Sequence, residues 1–292
     1  MELTNLSFIG DRSLGSDAIG AVSYRRHDVN FHSSLLQDFD ILILVVCECE
    51  HLKREVEHLI DKELRYQVLY VSLNYFKHWI VSGENRDIVE YLLQGTIIWD
   101  ERGVIRQMKE KLFQFDHSLR EQKMFSEFAK FMRMYVEAKR YIQDGHILDA
   151  YHSVLEALHH WARIELIKQN VHPETTVWNQ LRNLNVAVYK LYEELAGGNE
   201  TLEKRVQLAI IACEFSVMSK MEECSSILLT ILRSRSKPWA VQELAELPEL
   251  QHVSAELPML LRKLVYRSLV NEEVRTMQRE TELVREIRYW AL

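Results

Sequence analysis

The run Ile41-Leu42-Ile43-Leu44-Val45-Val46 constrains this chain more than any other stretch. It is apolar throughout, rich in β-branched residues, and bounded by polar segments. A run that short and that continuous reads as a buried central β-strand. The chain enters it through Asp38-Phe39-Asp40. Side chains alternate along a strand, so carboxylates at i and i+2 share one face. Two like charges held side by side are unfavourable unless a cation lies between them. The pair therefore points to a divalent-metal site at the mouth of the strand, with a solvated strand start as the plain alternative.

With 292 residues the chain can build two or three domains. Nine Gly and four Pro are few for that length and favour a mostly helical protein with short connections. The formal net charge of −7 argues against whole-chain attraction to nucleic acid or to an anionic membrane. No apolar stretch is long enough to span a bilayer, and Met1-Glu2-Leu3-Thr4-Asn5 lacks the features of a signal peptide. A cytoplasmic protein is expected. The four cysteines have no zinc-like spacing and read as structural thiols.

Around the central strand, Ala18–Tyr24 predicts a first strand in which Gly20 permits a close backbone approach. Glu50–Lys62 predicts a helix, because Leu52, Val56, Leu59 and Ile60 fall on one helical face. Gln67–Ser72 is a further strand, Tyr75–Ser82 and Arg86–Leu93 are helices closed by Gly83 and Gly95, and Thr96–Asp100 is a last strand. These elements make a mixed α/β domain over 1–116. Long segments of period near 3.6 then predict a four- to five-helix bundle over 117–236, with one continuous helix from Leu202 to about Arg233. In 237–292, two helices precede two strands, the order of a winged helix-turn-helix. That segment carries 8 Lys and Arg against 9 Asp and Glu. Duplex binders neutralise several phosphates and carry a positive excess, so protein contact is expected there ahead of DNA.

Three patches give the chain a family resemblance: Asp38-Phe39-Asp40 with its apolar run, Ala157-Leu158-His159-His160-Trp161-Ala162-Arg163, and His172-Pro173-Glu174-Thr175-Thr176-Val177-Trp178-Asn179-Gln180. In these patches and in domain order it resembles the nucleotidyltransferase-like proteins of Gram-positive bacteria. The resemblance implies an α+β, multi-domain fold class: a polymerase-β-type mixed sheet with helices, an all-α substrate-binding-like bundle, and a C-terminal helix-turn-helix unit. It also implies that Asp38 and Asp40 hold Mg²⁺ bridging a nucleoside triphosphate while an acceptor hydroxyl attacks the α-phosphorus.

Two departures from that pattern bear on catalysis. The family signature has a Gly-Ser step after the first strand to hold phosphate. Here Gly20 is followed by Ala21, which leaves Gly20, Ser23 and Arg25 as the nucleotide-binding candidates. A textual mimic at Gly10–Asp17 lacks the second acid and the strand that should follow it. The neighbouring strand should supply a third carboxylate, yet Gln67–Ser72 contains no acid, so Asp100 is the substitute metal ligand if the sheet brings it close.

His159 and Arg163 are the acceptor-side candidates, with a polar seam between helices as the alternative. His152 and His159 stand about two turns apart, too far for one metal ion. Arg140 and His146 match a ribonuclease-like spacing that chance explains. Trp178, Tyr189 and Tyr192 read as core. The resemblance leaves two readings open: Mg²⁺-dependent transfer of a nucleoside monophosphate to a small-molecule or protein hydroxyl, or a catalytically inactive nucleotide-binding or regulatory protein of the same fold. A homodimer is compatible with either, and no membrane contact is expected.

Overall fold

A computed structural model describes residues 17–25, 39–49, 54–83, 86–174, 176–279 and 282–292. The chain divides into two compact units, Met1–Leu119 and Arg120–Leu292. No helix among the described residues is long and apolar enough to cross a membrane.

Among the described residues the first unit has five strands: β1 (Ala18–Arg25), β2 (Ile41–Cys47), β3 (Arg54–Asp61), β4 (Leu64–Ser72) and β5 (Thr96–Asp100), in the order β3-β4-β2-β1-β5. The pairing of β2 with β4 is parallel and the other pairings are antiparallel. Every residue of β2 is buried, as its unbroken apolar run requires for a strand covered on both faces. Among the described residues three helices accompany the sheet: α1 (Leu73–Ser82), α2 (Arg86–Gln94) and α3 (Val104–Gln114). Ser72 starts α1 because its hydroxyl accepts the Tyr75 amide at 3.2 Å. Gly83 ends it at φ 67°, a left-handed conformation that costs a glycine little.

Where a helix is expected over Glu50–Lys62, the described residues from Arg54 onward form the edge strand β3 instead, hairpinned onto β4, and 50–53 lie outside the described residues. The turn between them is Lys62-Glu63, both at positive φ (46° and 73°). Two-residue hairpin turns need that conformation and usually take Asn-Gly or Asp-Gly, so this one lacks its sequence signal. The apolar periodicity also misled, because the described residues of β3 are exposed or half-buried and Ile60 stands 75% exposed. Backbone pairing to β4 holds this strand in place.

The second unit contains most of α4 (His117–Gln143), then α5 (Ile147–Lys168), α6 (Val177–Leu184), α7 (Val186–Gly197), α8 (Leu202–Cys224), α9 (Ser226–Arg233), α10 (Val241–Ala245) and α11 (Leu257–Tyr266). A hairpin of β6 (Asn271–Arg279) and β7 (Glu282–Trp290) closes the chain. Six helices, rather than four or five, fall between 117 and 236. The continuous helix expected from Leu202 breaks at the buried Ser225, which ends α8 and begins α9.

One apolar core runs from Phe125 in α4 to Ala291, so the boundary expected at 236–237 passes through shared packing. Arg133 on α4 pairs with Glu256, the residue before α11, at 2.7 Å. Trp239 and Tyr289 exchange backbone hydrogen bonds of 2.8 Å, tying β7 to the chain ahead of α10. Because β2 is the most completely enclosed element of the sheet, Leu44→Ala should cost about 2–5 kcal/mol of stability. Denaturant unfolding read against the wild-type midpoint checks this.

Candidate functional site

The mouth of the sheet is the end at which β2 begins and β1 finishes. Asp40 lies there, exposed, immediately ahead of β2. Its backbone N–H donates to the Arg65 carbonyl at 2.9 Å, and its Oδ2 accepts the Arg65 amide at 2.8 Å. The carboxylate thus caps the start of the parallel β2–β4 ladder. Asp38, its expected partner, lies outside the described residues.

Other groups gather at the same end. Arg25 ends β1, exposed, opposite Ile41, and Tyr66 is the β4 partner of Ile41. Burial pushes the Tyr66 phenol up; the charges of Asp61 and Asp40 add to this, and Arg25 opposes it. Asp61, the last residue of β3, therefore belongs to the mouth. Sequence reasoning missed it, because the segment read as a helix and the hairpin turn carried no glycine.

Strand register separates the other candidates from Asp40. Asp100 pairs with Gly20, whereas the mouth begins at Arg25, five residues further along β1. At about 3.4 Å per residue that separation is roughly 17 Å, so Asp100 and Asp40 cannot share an ion. Asp100 has local work instead: its Oδ2 accepts the Arg106 amide at 2.8 Å, in the first turn of α3.

Gly20 and Ser23 are not in a phosphate loop. Both lie inside β1, between β2 and β5, where the ladders take up the backbone amides. Ser23 is buried. A Cβ on Gly20 would stand 2.7 Å from Ile105 Cδ1 and 2.9 Å from the Trp99 carbonyl oxygen, so tight packing is what requires glycine here. Among the described residues no group of three or more His, Cys, Asp or Glu could hold a metal ion. Asp40 has one carboxylate oxygen bonded to the Arg65 amide, and Asp38, with which it would hold Mg²⁺, lies outside the described residues.

The acceptor-side candidates are in the second unit. Arg163 does not line a polar face: it is 4% exposed, and its Nε donates to Glu127 Oε1 at 2.6 Å. Glu127 Oε2 lies 2.8 Å from His160 Nδ1. Burial raises the Glu127 carboxyl, but Arg163, the His160 contact and Lys130 outweigh it and hold the group well below the usual carboxylate range. Lys123, one turn before Glu127 on α4, is buried too. Burial lowers its ammonium to about 7, with Arg163 and Lys130 adding to the shift and Glu127 opposing it. His172 is lowered to about 3 by burial, then by Lys123 and Arg163, and stays neutral. His159 sits half-buried, edge-on to Trp178 at 6.3 Å.

The alternative of a polar seam between helices is therefore what the structure contains, joining α4 to α5. A second seam surrounds Glu165, which accepts from Trp161 Nε1 and Asn185 Nδ2 at 3.0 Å each and from Lys220. Trp178 stacks on Tyr192 at 3.9 Å between ring centroids.

Comparison with known proteins agrees with this architecture. Residues 7–120 match the nucleotidyltransferase-like family, residues 121–220 the YgxA-like substrate binding domain, and residues 226–289 a helix-turn-helix domain. The "Uncharacterized protein YgxA" of Bacillus subtilis is 34% identical over 242 residues, which are 83% of this chain and 82% of that protein. The crystal structure of a nucleotidyltransferase-like protein from Exiguobacterium sibiricum superposes with a TM-score of 0.85 at 28% identity, covering 99% of this chain and 97% of that one.

Two outcomes test the assignments of Gly20 and Lys123. Gly20→Ala should destabilise the protein by about 1–3 kcal/mol through overpacking, measured by denaturant unfolding. Lys123 has a folded-state value near 7 against 10.5 for an ordinary lysine. The unfolded chain therefore binds more protons between those values, and stability from this group rises with pH across that window. Lys123→Met should raise the melting temperature at pH 6, with a gain that shrinks as pH approaches 10, read by thermal melts at both ends.

Proposed function

The chain belongs to the nucleotidyltransferase-like family that includes YgxA, and we propose that it serves as a nucleotide-binding protein of that fold rather than as a transferase. The observation that carries this reading is the register of β1. It sets Asp100 at the far end of the strand from Asp40 and commits Gly20 and Ser23 to strand pairing. In-line transfer needs acids that converge on the reacting phosphorus and a cradle for the departing phosphates. The mouth instead offers Arg25 as an exposed cation for phosphate, while Asp40 secures the ladder through the Arg65 amide.

One observation favours the second reading, Mg²⁺-dependent transfer of a nucleoside monophosphate to a hydroxyl. Asp40 stands at the exposed entrance to a fully buried strand, where the family signature places its acid, and Asp61 lies close by. Transfer on that reading runs through Asp38 and Asp40 together.

The full chain incubated with labelled ATP, GTP, CTP or UTP, Mg²⁺ and cell extract separates the two. No labelled product is expected. Calorimetry with the same nucleotides should show binding that weakens about tenfold in Arg25→Glu, the loss of about one charge-assisted contact. A labelled product that disappears in Asp40→Ala would overturn the binding-only reading.

A further inference from the structure

Within the second unit, α8 turns one face to solvent, and the middle of that face is apolar. Leu208, Ile211 and Phe215 follow one another at spacings of three and four residues, so they stand in a row along the helix. They are 51%, 64% and 82% exposed. A single exposed leucine is ordinary on a protein surface, whereas a contiguous row of large side chains marks a surface that meets something. The other side of α8 is already occupied, since Val206, Ala209 and Cys213 are buried in the shared core.

The two ends of the row carry opposite charges. Lys204 lies one turn before Leu208 and Glu222 two turns after Phe215, both exposed and both on the same face as the row. Each stands at the unfavourable end of its own helix. The first turn of a helix favours an acid and the last turn a base, yet Lys204 is the third residue of α8 and Glu222 is in a last turn without a base. Lys204 does pair with Glu200 at 3.0 Å, but both side chains are exposed, and such a pair holds a lysine only weakly.

A second helix laid antiparallel along the row relieves both ends at once. Its C-terminal turn comes to Lys204 and its N-terminal turn to Glu222. The best match is α8 itself. In the register that sets Lys204 against Glu222, Ile211 falls against Phe215, because both pairs are centred on position 213. A parallel pairing would instead set each charge against its like.

We propose that a second copy of this chain docks along α8, antiparallel about a twofold axis level with Cys213, with Lys204 facing Glu222 of the partner subunit. Such a contact is isologous, so it closes at two copies. From Lys204 to Glu222 the face is roughly 27 Å long. One helix pair of that length is a small interface beside those of permanent dimers, so the association is reversible and dilution undoes it. It belongs to the second unit and does not depend on whether the first unit binds or transfers a nucleotide.

Sedimentation velocity on the full chain over a wide concentration range tests this. A monomer–dimer equilibrium is expected. Phe215→Glu should raise its dissociation constant about tenfold or more. Lys204→Glu and Glu222→Lys should each weaken it alone. An equimolar mixture of those two variants should associate more tightly than either by itself, because the mixed pair sets opposite charges together at both ends. If thermal melts show Phe215→Glu to be unfolded, Ile211→Ser takes its place. A chain that stays monomeric at every concentration would overturn the proposal, as would a dimer indifferent to Phe215→Glu. So would a dimer strengthened by Lys204→Glu alone, the mark of parallel pairing, or a mixture no tighter than its components. A monomer that pellets with phosphatidylglycerol vesicles, and loses them in Phe215→Glu, would assign the row to a lipid surface instead.

Discussion

The parallel pairing of β2 with β4 is the constraint on which the first unit depends. β2 is buried along its whole length, so each of its backbone amides and carbonyls must find a partner in β1 or β4. The pairing fixes which residues can meet at the mouth, since a shift of one residue would turn every side chain to the other face. Asp40 continues the ladder by one step through its amide and its carboxylate. The acid that the family signature assigns to metal is thus also part of what holds the strand ends together.

In the second unit the corresponding anchor is the Glu127–Arg163 pair. A buried pair stabilises only when its geometry and its remaining hydrogen bonds offset desolvation, and the contact with His160 supplies one of those bonds. Arg163 Nη1 is buried without a hydrogen-bond partner among the described residues, and Lys123 is buried beside it. The cluster therefore stores a cost that a wholly apolar seam would avoid. Such costs persist in natural proteins where they fix one packing arrangement over others, and they leave room to gain stability by substitution.

Much of this architecture was legible in the sequence. β1, β2, β4, β5 and the paired β6 and β7 followed from apolar runs and polar turns, and Gly83 marked the end of α1 as expected. β3 was not legible, because its described side chains are largely exposed and only its partner strand dictates its conformation. Asp61 stayed hidden for the same reason. The distance between Asp40 and Asp100 could not be read either, since it depends on strand order rather than on spacing along the chain. For Arg163 the sequence left a cleft wall and an inter-helix seam both open, because periodicity gives the face of a helix but not the neighbour it meets; Glu127, 36 residues earlier, settled its place.

The position of β3 at the end of the sheet has a further consequence. Its outer row of backbone donors and acceptors is a template that a strand from another molecule could adopt, and Val56 and Ile60 add apolar surface to that rim. Glu55 and Asp61 stand exposed along the same strand, with Glu57 half-buried between them. Two copies meeting edge to edge would bring these negative charges together. Like charges along an edge strand oppose such pairing, which is how an exposed sheet edge is commonly blunted.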